Sequence, residues 1–327
     1  LAHHGALEFN LGERVEGFTN FLWTVLLAGA IDLGVPPEVS SRALGALLGV
    51  SALLFTFLLA RRSDPSPLAL VAPALLAALP GFAAWSSGGL ETALFTALGL
   101  GGLLLLVRDR SWAAGFCFAL ASMTRPEGAL LFASAALVEL IRTRRFDLRL
   151  YAAFLAPFLA FYSWRLSYYG HPFPNTFYVK AGDMALARGA RYLADFVLEN
   201  GLLVAAALLV FYRARDRRLA LHSLVLLPLY LAYVASVGGD FMALHRFVVP
   251  VAPHLVLLLH DALRGRPWLR FAAPALVAIA LANAVRVDRA TLASTGAVDG
   301  IDSIGYLKKF ADDRVQGYVR QAEIAAV

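Results

Sequence analysis

The chain has 327 residues, of which 59% are hydrophobic and only 16% are charged. Soluble domains average about 45–50% apolar and about 25% charged residues, so this composition excludes an ordinary soluble globular domain. The net charge of +6 can indicate nucleic-acid binding, but basic links between apolar segments are more typical of membrane orientation. We therefore predict an all-α polytopic membrane protein with membrane lipids, and no nucleic acid, as partners.

The start of the chain is Leu1, and no signal-peptide pattern follows it. We interpret the sequence as a fragment that lacks its natural start. The single cysteine, Cys117, lies in an apolar segment and has no partner for an internal disulfide.

Apolar segments recur along the chain at a length suited to membrane helices, which need roughly 20 mostly apolar residues. Ten spans are predicted, at 42–60, 67–86, 91–107, 112–124, 127–141, 150–169, 200–212, 219–237, 246–263 and 270–287. They form one transmembrane domain over residues 1–287. Residues 18–33 are predicted to lie along the outer membrane surface as part of a first outer loop, 1–33. Residues 288–327 are expected to be an outer polar tail.

Arginines are concentrated in alternate links between these spans. By the positive-inside rule those links are cytoplasmic. They hold Arg61, Arg62, Arg108, Arg110, Arg142, Arg144, Arg145, Arg149, Arg213, Arg215, Arg217, Arg218, Arg264, Arg266 and Arg270. The other links contain glycine, proline, asparagine, aromatic residues and single charges, which suit binding loops. We expect the functional site on the outer face.

The segment 124–128, "TRPEG", joins two predicted spans that are too short to cross about 30 Å of hydrocarbon comfortably. Its charges then lie below the outer surface, where they must be paired or face a wet cavity. Arg125 suits a phosphate or carboxylate. Glu127, and Glu91 in "GLETALF", could instead serve only to stabilise helix N-termini.

Two outer segments add candidate sugar and phosphate contacts. In "ERVEG", Glu13 and Glu16 would share a face if helical, and either grip sugar hydroxyls or form a solvated turn. In "HPFPNTFYVK", two prolines stiffen the backbone. Asn175, Tyr178 and Lys180 then either form a binding loop, with Lys180 near a phosphate, or belong to a rigid connector.

The segment "GGDFMALHRF" places Asp240, His245 and Arg246 at the outer edge of the last-but-one predicted span. Because a helix N-terminus favours anions, Arg246 there gains nothing from the helix dipole, and a bound anion would compensate. His245 is better explained as a hydrogen-bonding residue than as a metal ligand. The sequence contains no metal-binding, P-loop or dinucleotide motif, so no metal or other cofactor is predicted.

Taken in order, "FNLGERVEGFTNFLWT", "GLETALF", "TRPEG", "YYGHPFPNTFYVK" and "GGDFMALHRF" resemble the GT-C membrane glycosyltransferases. The likeness covers most of residues 8–250 and is greatest to the terminal arabinofuranosyltransferases that finish mycobacterial arabinan. It implies a GT-C-like helical bundle in the bacterial inner membrane with its active site facing the periplasm or exterior. It also implies a polyprenyl-phosphate sugar donor and a glycan or lipid acceptor.

In such enzymes the catalytic base is an acidic residue early in the first outer loop, which here would lie upstream of Leu1. The resemblance therefore implies that the fragment is inactive alone. Within the chain, Glu13, Glu16 and Asp240 are the candidate carboxylates. Substrate contacts are expected from Glu91, Arg125, Glu127, Asn175, Tyr178, Lys180, His245 and Arg246. Two alternatives stay open: a lipid or sugar transporter, and a non-catalytic envelope or motility assembly factor of the same fold.

Overall fold

The computed structural model describes residues 1, 5–8, 12–175, 185–201, 217–240 and 242–293. Within these ranges the chain forms helices and no strand. In chain order they are α1 (Phe21–Asp32), α2 (Pro37–Ser63), α3 (Val71–Ala77), α4 (Pro80–Ser87), α5 (Thr92–Val107), α6 (Ser111–Thr124), α7 (Gly128–Thr143), α8 (Leu148–Tyr169), α9 (Ala185–Glu199), α10 (Arg217–Ser236), α11 (Ala252–Leu263) and α12 (Leu269–Ala293). Short 3₁₀ turns at Pro67–Leu70 and Val249–Val251 precede α3 and α11.

Helix boundaries follow local chemistry. Proline occupies the first position of α2 and α4, where its missing N–H is not needed. The Asp147 carboxylate caps α8 by accepting from the amides of Arg149, at 3.1 Å, and Leu150, at 3.3 Å. Gly170 ends the same helix with φ of 75°, a conformation that glycine adopts without strain.

Close helix packing depends on small residues. α6 packs on α5, α7 and α8, and a Cβ on Gly115 would lie 2.4 Å from the Leu150 carbonyl oxygen. α2 packs on α4 and α5, and a Cβ on Gly49 would lie 2.7 Å from the Ser86 side chain. The apolar side chains between these helices form two clusters, one around Phe118, Phe132 and Tyr230, the other around Leu59, Trp85 and Leu100.

The prediction of ten spans is not supported. Among the described residues, three helices are long and apolar enough to cross a membrane, Pro37–Ser63, Arg218–Ser236 and Leu269–Ala290. The predicted span 67–86 is instead two helices bent by 73° at residues 78–79, and counting them as one span gives up to four. Helices α5, α6 and α11 are apolar but shorter. The helical membrane class is consistent with these helices, whereas a count of ten spans is not supported by the described residues.

Two further boundaries differ from the prediction. α12 continues to Ala293, so residues 288–293 belong to a helix rather than to a polar tail; the remainder of the tail lies outside the described residues. The predicted span 246–263 begins only at the 3₁₀ turn Val249–Val251. The predicted span 200–212 falls almost wholly outside the described residues. A helix does occur in 18–33, as α1.

Contacts along the helices define two ends of the bundle. α2 and α5 run parallel, since Ser41 meets Gly89 and Phe55 meets Gly101. The carboxyl ends of both helices therefore lie on the same side, where the Leu106 and Val107 carbonyls accept from Arg218. We call this side the basic end. The opposite side, beside Glu91, is the motif end.

Candidate functional site

Arg125 is the centre of the motif end. It follows α6, and its side chain turns inward to two carboxylates that each precede a helix. Its Nε lies 2.6 Å from Glu127 Oε1, and its Nη1 lies 3.2 Å from Glu91 Oε1. All three residues are at most 7% exposed. The predicted requirement that these charges be paired is therefore met.

Neither carboxylate caps the helix that follows it. Glu91 and Glu127 occupy the N-cap positions of α5 and α7, yet neither side chain makes a capping hydrogen bond. The second oxygen of Glu91 accepts from Asn20 Nδ2 at 3.2 Å, and that of Glu127 accepts from Tyr233 Oη at 3.3 Å. Hydrogen-bond capping does not explain either glutamate, because both are directed to Arg125 and its surroundings.

A second ion pair lies beside this triad. Arg246 donates through Nε to Asp240 Oδ2 at 2.6 Å and through Nη2 to Oδ1 at 3.3 Å. The Phe247 ring lies 4.6 Å from the Arg125 guanidinium and 5.4 Å from that of Arg246. Both cations thus flank one aromatic ring at distances that favour cation–π attraction.

We call Glu91, Arg125, Glu127, Asp240 and Arg246 together the Arg125 cluster. It contains three carboxylates and two guanidinium groups, so its formal charge is negative. Burial opposes the charged form of Arg125, but Glu127 and Glu91 outweigh it and raise the pKa of the guanidinium above its ordinary value. Arg125 is consequently a fixed cation whose charge is already compensated.

Arg246 differs from Arg125 in its hydrogen bonds, because only its Nε and Nη2 are used by a carboxylate. Its Nη1 has no hydrogen-bond partner among the described residues, and the side chain is 12% exposed. The sequence analysis assigned Arg246 to a bound anion because it appeared unsupported at a helix start. Asp240 supplies that support instead, which leaves Nη1 as the group able to contact a ligand.

Turns shape the loop that carries this pair. Gly238 and Gly239 have φ of 84° and 72°, and a Cβ on Gly239 would lie 2.6 Å from the Tyr192 ring. Leu244 and His245 also have positive φ, 61° and 52°, which costs on the order of 1–3 kcal/mol per non-glycine residue. The Trp85 indole, donating to the Ala243 carbonyl at 3.0 Å, ties this loop to α4.

Glu13 and Glu16 do not share a face, because residues 13–20 are not helical. Glu13 is exposed, whereas Glu16 is buried and paired with Arg165 of α8, whose Nε lies 2.9 Å from Oε1. Arg165 also donates to the Pro172 carbonyl at 2.9 Å. The backbone N–H of Asn175 donates to the backbone carbonyl of Glu16 at 3.2 Å, while Asn175 itself is exposed.

The remaining predicted residues separate into two groups. His245 Nδ1 lies 3.2 Å from Glu199 Oε2 and makes no contact with the residues of the Arg125 cluster among the described ion pairs. Tyr178 and Lys180 lie outside the described residues. Among the residues that the structure describes, no group of three His, Cys, Asp or Glu side chains is placed to hold a metal ion.

Sequence reasoning missed several partners. Arg165, Glu199, Tyr233 and Asn20 each contact a predicted residue. A signal existed for Arg165, since an ionisable residue inside a predicted span is expected to have a specific partner. The others carry no comparable signal, because Glu199 lies between predicted spans and because tyrosine and asparagine are ordinary in a helical membrane protein.

At the basic end, Glu139 of α7 holds a second group of charges. It lies 2.6 Å from Arg142, 3.1 Å from Arg218 and 3.2 Å from His222. Arg218 also pairs with Asp109 at 3.0 Å. We call Asp109, Glu139, Arg142, Arg218 and His222 the Glu139 cluster. It brings together links that the sequence analysis grouped as cytoplasmic.

Comparison of the chain with protein-family models, with curated proteins and with solved structures gives no match. The resemblance to GT-C enzymes thus stays a prediction from the motifs.

Proposed function

We propose that this protein is an inverting membrane glycosyltransferase. It moves a sugar, with arabinofuranose as the first candidate, from a polyprenyl-phosphate donor to a glycan or lipid acceptor of the cell envelope. The reaction takes place on the outer face of a bacterial inner membrane. One observation supports this most: five predicted site residues, far apart in sequence, gather in the Arg125 cluster at the end of the bundle opposite the arginine-rich links.

The proposed reaction requires one base and one anion site. The acceptor oxygen attacks the anomeric carbon, the bond from that carbon to the lipid phosphate breaks, and the phosphate keeps the electron pair. A carboxylate takes the hydroxyl proton. Charge grows on the leaving phosphate, so a fixed cation there stabilises the transition state. Arg246 fits this role better than Arg125 because its Nη1 has no hydrogen-bond partner among the described residues.

The base is not identified among the paired carboxylates. Asp240 and Glu16 each use both oxygens to hold an arginine. Such carboxylates are poor proton acceptors while the cation is present. They therefore fit positioning roles, with Asp240 orienting Arg246. Neither carboxylate is therefore proposed as the base.

Removing Arg246 alone would leave Asp240 buried and unpaired, which confuses loss of activity with loss of stability. The sharper test is the double variant Arg246→Gln with Asp240→Asn, which removes both charges together. In full-length protein reconstituted with radiolabelled lipid-phosphate sugars, we expect transfer to fall by about 10²–10³. Arg142→Gln, at the basic end, is the matched control and should keep full transfer.

An unchanged rate in the double variant would remove Arg246 from the site. Absence of transfer by the unaltered full-length protein, across lipid-phosphate pentoses and hexoses, would overturn the enzyme proposal itself.

One observation favours the transporter alternative. Polar side chains occur within the bundle, where His254 Nδ1 lies 3.1 Å from the Ser223 hydroxyl. His222 and His254 also line one small pocket, and transporters place polar groups near the middle of their helices. Vesicle assays separate the two functions, since a carrier moves the labelled lipid without forming a new glycosidic bond.

A further inference from the structure

Helix α9 has two kinds of exposed residue, and they occupy different sides of the helix. At about 100° per residue, its exposed charged residues, Arg188, Arg191 and Asp195, share one side. Its exposed apolar residues share the next side, and they are Leu186, Ala187, Ala190, Ala194, Val197 and Leu198. Gly189 and Phe196 are buried on the third side. Each side covers roughly a third of the circumference.

The buried side holds α9 against the motif end. Near the start of the helix, a Cβ on Gly189 would lie 2.1 Å from the Ala235 carbonyl oxygen, at the end of α10. In the middle, the Tyr192 ring lies 5.0 Å from the His245 ring. At the end of α9, Glu199 lies 3.2 Å from His245. These contacts fall on the end of α10 and on the loop that follows it, so α9 lies across the motif end.

Neither the length nor the charge of α9 fits a membrane-spanning helix. Its 15 residues extend about 22 Å, whereas the hydrocarbon is about 30 Å thick. Crossing it would place Arg191 and Asp195 among acyl chains, at about 2.5–3.5 kcal/mol for each charge near the centre. Exposure of the whole surface to water fits no better, because Leu186 and Leu198 are 65% and 79% exposed. A helix that lies flat in the interface meets both requirements, with one side in lipid and one in water.

We propose that α9 lies in the membrane interface at the motif end and binds the phospholipids of that leaflet. Its apolar side enters the acyl chains to a depth of about 5–10 Å. Arg191 borders the apolar side next to Leu198 and is exposed, so its long side chain reaches the lipid phosphates. Asp195, farther from the apolar side, stays in water. This partner is independent of the reaction proposed above.

The position of α9 has a consequence for the loop that carries Arg246. Tyr192 Oη accepts from the Phe247 N–H at 3.1 Å, and Glu199 pairs with His245. Because α9 holds the residues on both sides of Arg246, lipid bound to α9 fixes this part of the loop close to the headgroups. A phosphate carried by a lipid lies at the same level of the membrane.

Consecutive residues of α9 provide matched probes of this arrangement. Ala190 and Ala194 lie on the apolar side, whereas Arg191 and Asp195 lie on the charged side, and all four are exposed. Each is replaced singly by cysteine, together with Cys117→Ser, and spin-labelled in full-length protein. The nanodiscs contain phosphatidylethanolamine and phosphatidylglycerol. Accessibility of each label to oxygen, which concentrates among acyl chains, and to a water-soluble nickel chelate gives its depth.

We expect the labels at 190 and 194 to lie about 5–10 Å below the phosphates and to be reached mainly by oxygen. The labels at 191 and 195 should be reached mainly by the nickel chelate. Both pairs should show the same contrast, because a helix parallel to the surface keeps one depth along its length. The control is Leu229→Cys, an exposed position of α10, whose label should lie deeper than any on α9.

Other patterns overturn the inference. Four labels in water would mean that α9 stands away from the bilayer, and four labels among acyl chains would mean that it is inserted as a span. Labels at 190 and 194 that neither reagent reaches would mean that protein, such as a second copy of the chain, covers the apolar side. Because the substituted residues are exposed, no buried contact is lost, and each pair is a separate test. The measurement reports the position of α9 alone, so its outcome does not depend on sugar transfer.

Discussion

The Arg125 cluster and the Glu139 cluster are both networks of arginine and carboxylate, yet they are built for different surroundings. The side chains of Glu91, Arg125 and Glu127 are at most 9% exposed. In the Glu139 cluster, by contrast, Asp109 is 78% exposed and Arg142 is 39% exposed. Water can therefore replace a lost partner of Asp109 or Arg142 at the basic end, but not one of Glu91, Arg125 or Glu127 at the motif end. Burying an ion pair away from water costs desolvation free energy. For this reason we assign function to the Arg125 cluster.

The strongest test of this difference is whether the two ends of the bundle face opposite sides of the membrane. Asn175→Cys and Arg145→Cys, each introduced with Cys117→Ser, place single thiols at exposed positions near the motif end and the basic end. With a membrane-impermeant maleimide on sealed vesicles of known orientation, we expect labelling from opposite compartments. Labelling of both thiols from one compartment would contradict the separation of the two ends.

The next largest expected effect is on the free energy of unfolding when one arginine of each cluster is removed. Arg125→Ala leaves two buried carboxylates without their cation, so we expect a loss of about 3–5 kcal/mol in the free energy of unfolding. Arg142→Ala, its control at the basic end, should cost about 0–1 kcal/mol because its side chain is 39% exposed. Thermal or denaturant unfolding in detergent measures both. Equal losses would mean that the clusters do not differ in burial as described.

A smaller effect is expected within the Glu139 cluster itself. Glu139→Gln keeps the shape of the side chain but weakens charged hydrogen bonds to Arg142, Arg218 and His222. We expect a loss of about 1–3 kcal/mol, with sugar transfer unchanged. The unfolding assay gives the first quantity and the lipid-sugar assay the second. Loss of sugar transfer in the Glu139→Gln variant would indicate that the basic end takes part in the reaction.

Sequence patterns predicted the helical class and the grouping of links at two ends, because hydropathy and arginine placement are properties of single segments. They predicted ten spans, a number that the described helices do not support, because helix length depends on where packing and turns end each helix. Segment 67–86 is uniformly apolar, but Pro80 begins a new helix after a bend. Segments 112–124 and 127–141 were rightly identified as short, and α6 and α7 have 14 and 16 residues.

The candidate site was predicted unevenly for a related reason. Arg125, Glu127 and Glu91 stand out because ionisable residues near apolar segments are unusual. Their mutual pairing could not be read from the sequence, since Arg125 and Glu91 are 34 residues apart. Glu16 was considered for sugar contact because nothing local indicates that Arg165, 149 residues later, occupies both of its oxygens.

The contact between α4 and the loop at Ala243 has a consequence for biogenesis. Trp85 and Ala243 are 158 residues apart, and a Cβ on Gly81 would lie 2.3 Å from the Leu244 carbonyl oxygen. The helices up to α4 are synthesised well before their partner in this contact. The space beside Gly81 therefore stays unfilled until the segment around residue 243 has been synthesised. Until then Gly81 and Trp85 lack their partners, so a chain truncated before residue 243 leaves this side of α4 uncovered.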